Sequence, residues 1–278
     1  MTMAASTYAT PMEKGWYYLH RLVCGAVLLF LIAPILVIIP LSFNSVPFFS
    51  YPMPGLSLRW YAEFFLTSRW QGALQNSIFV AVSVTLLSTT LGTVAALGLS
   101  RPNFPWRAAV MGLLISPLIV PLVITAVALY FFYADVGLLN TFMGVILAHT
   151  SIATPFVVIT VTATLKGFDH SLTRAAAGLG APPISVFFKV TLPLILPGMI
   201  SGALFAFGTS FDELVLVLFV GSVEQRTLPK VMFSGIREEI SPTIIAAATI
   251  LVLFSIAMLS TVELLRRRSE RLRGIRNT

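Results

Sequence analysis

Six stretches of this chain are apolar over lengths that neither a strand nor a surface helix requires. Their approximate limits are Trp16 to Phe43, Gly72 to Leu99, Trp106 to Tyr133, Leu138 to Leu165, Leu192 to Val223 and Thr243 to Leu265. A helix rises about 1.5 Å per residue, so about 20 apolar residues cross a hydrocarbon core of roughly 30 Å. The pattern predicts an all-α integral membrane protein with six transmembrane helices. Turn-forming clusters separate the runs, including Pro47, Pro52, Pro54 and Gly55 after the first and Arg101, Pro102, Asn103 and Pro105 after the second. The first run is longer than the roughly 7–15-residue core of a cleavable signal peptide, and no small-residue cleavage site follows Phe43, so it is expected to stay. Pro34 and Pro40, Pro117 and Pro121, and Pro155 fall inside runs and predict kinks, because each leaves a backbone carbonyl for a neighbouring helix or water to satisfy.

Composition agrees with a lipid-facing chain. Of 278 residues, 57% are hydrophobic and only 10% charged, against roughly 25% charged in soluble domains. A disordered chain is excluded by this apolar content. Cys24 is the only cysteine, which excludes an internal disulfide and a cysteine-built metal site. His20, His149 and His170 are too far apart for a close ligand pair, so no metal site is expected, and no catalytic constellation stands out. The net charge of +7 fits cytoplasmic loops and lipid headgroups better than nucleic acid, and no nucleic-acid partner is expected.

Lys and Arg set the orientation. With a cytoplasmic N-terminus, thirteen fall on inner segments and five, Arg59, Arg69, Arg226, Lys230 and Arg237, on outer ones. Both termini are therefore expected in the cytoplasm. Six of the inner arginines crowd into residues 266–278, a basic tail suited to anionic lipid. The expected layout is an N-terminal tail, first helix and outer loop over 1–71, a core membrane domain over 72–265, and the basic tail.

One loop is too polar to span and too patterned to be slack. Residues 166–191 read KGFDHSLTRAAAGLGAPPISVFFKVT. Asp169 or Ser171 can cap a short helix through Arg174 to Leu179, Gly180 can end it, and Pro182 and Pro183 block its continuation. Its alanines offer a smooth side to another protein's groove, and Ile184, Val186, Phe187, Phe188 and Val190 form a second amphipathic segment for the bundle or the membrane surface.

The run Arg174-Ala175-Ala176, then Gly178, Gly180-Ala181 and, nine residues on, Thr191-Leu192-Pro193 resembles the "EAA" coupling motif of membrane subunits of bacterial binding-protein-dependent ABC importers. Asn76-Ser77, Ala148-His149, Pro155-Phe156-Val157, Ser210-Phe211-Asp212-Glu213, Thr227-Leu228-Pro229 and Ile240-Ser241-Pro242 extend the resemblance to the spermidine/putrescine permease branch, second-subunit type. It implies a type I ABC importer permease fold in the bacterial cytoplasmic membrane. It also implies the partners: two ATPase subunits, a second homologous permease, an extracytoplasmic solute-binding protein and the bilayer. Arg174, Ala175, Ala176, Gly178, Gly180, Ala181, Leu192 and Pro193 would couple to the ATPases. Arg174 stands where the family usually has Glu, and Val190 where it usually has Ile; only the first reverses a charge. No Gly-x-x-x-x-Gly-Lys-Ser/Thr phosphate loop occurs, so the chain itself is expected to be non-catalytic and free of cofactors, with ATP bound by the partner.

Three further features have two readings each. Asp212 and Glu213, costly in a span, either line a path for a cation or sit solvated or ion-paired at the outer interface. Gly198 and Gly202 form a small-residue stripe for helix packing, with the facing helix in this chain or in a second permease subunit. His149 is either a titrating group or a hydrogen-bonded packing residue. The expected substrate is a polyamine or related small cation. A ferric ion, an opine or another small solute fits the same class, and an ion-driven secondary carrier, which would need neither ATPase nor binding protein, finds no support in an internal repeat.

Overall fold

The computed structural model describes residues 10–48, 50, 52–101, 104–238 and 241–272. Pro102, Asn103, Ile240, Arg273 and Arg276 lie outside them, as do the side chains of His170, Arg266, Arg267, Arg268 and Arg271. The described chain is helical, with a single isolated bridge between Asn44 and Leu56.

Helix α1 (Pro11–Leu41) opens with a capping box. Thr10 Oγ1 accepts from the Glu13 amide, the Glu13 carboxylate accepts from the Thr10 amide, and Pro11 takes the first turn, where no donor is lost. None of its residues is buried. Its 31 residues reach about 46 Å, enough to cross a bilayer with tilt. After α1 the chain folds on itself: Trp60 in α2 (Arg59–Leu66) is buried and donates its indole N–H to the Asn44 carbonyl at 2.6 Å, and Ser42 Oγ meets the Tyr61 hydroxyl at 2.6 Å. These contacts belong to one compact unit, residues 1–64 with 240–250.

The other unit, residues 65–239 with 251–278, holds the helices that position the candidate site. α3 (Ser68–Leu99), α6 (Phe142–Lys166) and α9 (Leu192–Phe211) pack pairwise on one another. α6 is at the centre, with a larger buried share than any other long apolar helix. Val80 and Val84 of α3, Val157 and Val161 of α6, and Ile195 and Ala206 of α9 supply the buried contacts.

Among the described residues, five helices are long and apolar enough to cross a membrane, and a sixth crossing exists if one bent pair counts as a span. That pair corrects the expectation of one continuous stretch from Trp106 to Tyr133 for the third run. α4 (Arg107–Ile115) continues through a 3-10 turn, Ser116–Leu118, and then meets α5 (Leu122–Val136) at 94°. Pro117 lies in the turn and Pro121 immediately precedes α5, so two amide donors are missing where a straight helix would need them. The fifth run is also divided. Its helix begins earlier, at Pro183, where α8 (Pro183–Val186) passes through a π turn, Phe187–Thr191, into α9, and it ends at Phe211 instead of running to Val223. The segment expected as a separate amphipathic piece is thus the first part of the fifth helix. Short α10 (Val215–Val220), α11 (Leu228–Glu238) and α12 (Pro242–Leu272) follow.

Candidate functional site

The polar loop forms α7 (His170–Gly178) with both ends closed by its own residues. Of the two capping candidates Asp169 is the cap, with its carboxylate accepting from the Ser171 amide at 2.8 Å. At the other end the Ala181 amide donates to the Ala176 carbonyl at 3.1 Å and the Gly180 amide to the Ala177 carbonyl at 2.9 Å. This pair of crossed bonds is a Schellman closure, and it places Gly180 at φ +82°, a conformation that L side chains adopt at a cost. Pro182 then directs the chain away and Pro183 begins α8.

The coupling candidates fall into two groups. Arg174, Ala175, Gly178 and Gly180 are exposed on α7 and its closing turn, while Ala176 and Ala181 are half-buried. Leu192 and Pro193 sit at the start of α9, beyond the π turn, and α7 packs against both α8 and that turn. Four apolar side chains stand out of this region: Leu172, Leu179, Ile184 and Phe188, with Leu179 89% exposed. Leu172 and Leu179 stand on a segment too polar for the bilayer, whereas Ile184 and Phe188 belong to the long apolar helix that begins at Pro183.

Asp212 and Glu213 lie at the far end of α9, about 30 Å from Leu192 along the 20-residue helix. Their environments differ. Asp212 is the C-terminal cap position of α9 and is exposed. Glu213 is buried, and its Oε1 accepts from the Leu216 amide at 2.9 Å, so its carboxylate closes the first turn of α10. Directly before them Ser210 Oγ meets His149 Nδ1 at 3.0 Å, joining α9 to α6 in the buried core. His149 is thus a hydrogen-bonded packing residue on one nitrogen.

Gly198 and Gly202 press on α6 of this same chain. A Cβ at Gly202 would lie 2.6 Å from Thr160 Oγ1 and 2.9 Å from Val157 Cα, and one at Gly198 would meet the Thr164 hydroxyl. Both glycines are buried.

Residues near the other end of α3 make a contact that no local pattern signals. Asn76 Nδ2 donates to the carbonyls of Glu224 at 2.8 Å and Arg226 at 2.9 Å, and the Leu228 amide donates to Ser77 Oγ at 2.7 Å. The turn between α10 and α11 is held from both sides. In the sequence, Asn76-Ser77 and Thr227-Leu228-Pro229 are separate marks, and Arg69, Arg226 and Lys230 count only as outer charges.

The sequence matches the family described as binding-protein-dependent transport system inner membrane component over residues 88–271. The chain belongs to that family. It is therefore a multi-pass ABC importer permease subunit, a non-catalytic component of a transporter. The matched segment of this permease runs from the second half of α3 into α12 and includes α7 and α9. The spermidine/putrescine transport system permease protein PotC of Haemophilus influenzae is 31% identical over 253 residues, covering 91% of this chain and 98% of that protein. The putrescine transport system permease protein PotI of Escherichia coli K12 is 35% identical over 233 residues, covering 80% of this chain and 81% of that one. In fold, the permease is similar to a chain of a bacterial ABC transporter involved in the import of the acidic polysaccharide alginate, with TM-score 0.72 at 16% identity over 92% of this chain and 98% of that chain. A chain of the MetNI methionine ABC transporter gives TM-score 0.51 at 21% identity over 76% and 100%.

Proposed function

We propose that this permease forms part of the translocation path for a polyamine of the putrescine or spermidine kind, in the bacterial cytoplasmic membrane, with both termini in the cytoplasm. The similarity to polyamine permeases over 80–91% of the chain carries the substrate assignment. A second homologous permease completes the path, a solute-binding protein delivers substrate from outside, and two ATPase subunits bind and hydrolyse ATP. The exposed apolar side chains around α7 support its role as the element those ATPases grip, and the continuous helix from Pro183 to Phe211 links that grip to the far side of the bundle. Nucleotide-driven closure of the ATPases then moves α7 and tilts α9 against α6, shifting the balance between inward- and outward-open cavities. Uptake of labelled putrescine or spermidine into vesicles containing the whole importer tests this reading. ATP- and binding-protein-dependent accumulation is expected, and uptake that follows an ion gradient without ATP sinks it.

Of the two carboxylates, Asp212 is the one available to a cation, since Glu213 is occupied with the α10 amide. Asp212→Asn keeps shape and hydrogen bonding while removing the charge, and is expected to lower uptake at saturating binding protein with assembly intact. Glu213→Gln retains an acceptor for Leu216 and is expected to transport near the native rate, whereas Glu213→Ala loses the cap and about 1 kcal/mol of stability. Native uptake by Asp212→Asn removes this residue from the path.

Arg174 is exposed on α7 at the position where the coupling motif it resembles has Glu, so its ATPase contact is expected to be complementary in reverse. Arg174→Glu should impair assembly or uptake with the native ATPase, and an acidic-to-basic change in the ATPase groove should restore both. Equal activity in all four combinations would show that no pair forms at this position.

A further inference from the structure

The break between α4 and α5 differs from the prolines inside the other long helices. Pro34 and Pro40 lie within α1, Pro155 within α6 and Pro197 within α9, and each of those helices continues through its proline. At Pro117 and Pro121 the helix stops instead, and the chain turns through 94°. In a continuous helix the carbonyls of Pro117, Leu118, Ile119 and Val120 would accept from the amides of residues 121–124. Pro121 has no amide hydrogen, and its extended backbone, ψ 126°, carries Leu122 and Val123 out of reach into a new helix. The Ile124 amide donates to the Pro121 carbonyl at 2.9 Å. Among the described residues, the four carbonyls therefore meet no donor.

Depth makes this unusual. The helical stretch Arg107–Leu118 is twelve residues long and carries the chain about 18 Å from Arg107, more than halfway through a hydrocarbon core of roughly 30 Å. Leu118, Ile119 and Val120 are exposed there, Ile119 to 76%. Lipid offers no donor, and irregular backbone at such depth persists only where protein buries it or a hydrated cavity reaches it. A covering helix could pack on these three apolar side chains, but it would also have to bring donors for four carbonyls. A hydrated cavity supplies them without any such match. The negative end of the α4 dipole lies at the same place, with no basic residue in its last turn, and the next Lys or Arg after Arg107 in the chain is Lys166. Carbonyls at a negative helix end suit an ammonium group, which has three N–H donors and no acceptor. They also hold it less firmly than a carboxylate would, so a passing cation can leave again.

We infer that the break over residues 116–121 lines the translocation path and that its free carbonyls bind an ammonium group of the substrate. The inference rests on the proposed function, which supplies a cationic substrate and puts Arg107 at the cytoplasmic surface. It adds to Asp212 a binding station built from backbone, in which the prolines serve to withhold the amides that would otherwise occupy the carbonyls.

The test uses the whole importer in nanodiscs, open to reagent from both sides, with this chain in a Cys24→Ala background and its labelling read by mass. Ile119→Cys is expected to react with a water-soluble cationic methanethiosulfonate, because the thiolate is the nucleophile and a thiol in lipid or a dry protein contact does not ionise. Saturating putrescine is expected to slow that reaction about tenfold or more. Butane-1,4-diol, of the same length without the ammonium groups, should give no protection. In vesicles, Ile119→Lys places a fixed ammonium at the station and is expected to lower putrescine uptake about tenfold or more with the complex assembled, while Ile119→Met stays near the native rate. Several results overturn the station and leave the importer reading in place: no labelling, labelling that putrescine does not slow, or equal protection by the diol. Native uptake by Ile119→Lys does the same, and so does failure of that variant to assemble, since a hydrated position accepts the charge. A native complex that accumulates no putrescine or spermidine with ATP and binding protein overturns the importer reading, and the station with it.

Discussion

Gly180→Asp is expected to leave the permease folded in the membrane while abolishing coupled uptake. None of the described residues lies within 4 Å of a Cβ at this position, so sterics do not oppose the substitution. The cost to folding comes from φ +82°, about 1–2 kcal/mol for an L residue and less for aspartate, whose short polar side chain tolerates this region. A negative charge at the C-terminal end of α7 adds about 0.3–1 kcal/mol. Neither term unfolds a helical bundle whose core lies elsewhere. At the ATPase contact the account differs, because a carboxylate pressed into a protein groove without a partner costs about 3 kcal/mol or more. That corresponds to more than about a hundredfold loss of affinity for the ATPase. Gly180→Ala separates the two effects: it carries the backbone strain without the charge and should retain much of its uptake. Co-purification of the ATPase and vesicle uptake are measured together. Normal uptake by Gly180→Asp with the ATPase still bound would falsify the coupling role of this turn.

The closing turn of α7 was legible because its signals are local. A capping carboxylate, a glycine at the correct distance and two prolines act between Asp169 and Pro183, and the Ala181–Ala176 and Gly180–Ala177 bonds follow from them. The apolar runs were legible for a similar reason, since bilayer thickness fixes how long each must be. What failed depended on neighbours. Pro117 and Pro121 predict a kink, but whether a proline bends a helix slightly or by 94° depends on what satisfies the freed carbonyls. Hydrophobicity continues unbroken from Leu192 to Val223 apart from Asp212 and Glu213, so composition could not show that Glu213 starts a new helix by accepting the Leu216 amide. The pairings of Asn76 with Glu224 and Arg226, and of His149 with Ser210, span 148, 150 and 61 residues. No periodicity in a single sequence encodes contacts at that separation.

The facing partner of Gly198 and Gly202 was also open in the sequence, and its location in α6 gives the other large effect. Gly202→Val is expected to destroy most of the folded permease, measured as monodisperse protein in detergent and as the temperature at which it aggregates. Membrane helices gain no hydrophobic drive from meeting each other, so α6 and α9 hold together through close packing, which these two glycines permit. At Gly202 the nearest atoms are of two kinds. Thr160 Oγ1, at 2.6 Å, belongs to a side chain already turned back to the Phe156 carbonyl, whereas Val157 Cα, at 2.9 Å, is backbone and cannot move without its helix. Even Gly202→Ala must therefore push α9 off α6, at about 1–3 kcal/mol, and a β-branched residue in the same place costs more. Removing the hydroxyl tells the two obstacles apart. Thr160→Ala combined with Gly202→Ala relieves the contact with Oγ1 but not the one with Val157, so it should regain only part of the loss. Full recovery in that double variant would mean that a single hydroxyl sets the approach. A Gly202→Val protein as stable as the native one would mean that α6 and α9 do not meet this closely, and the lever between α7 and Asp212 would then lack the support on which it turns.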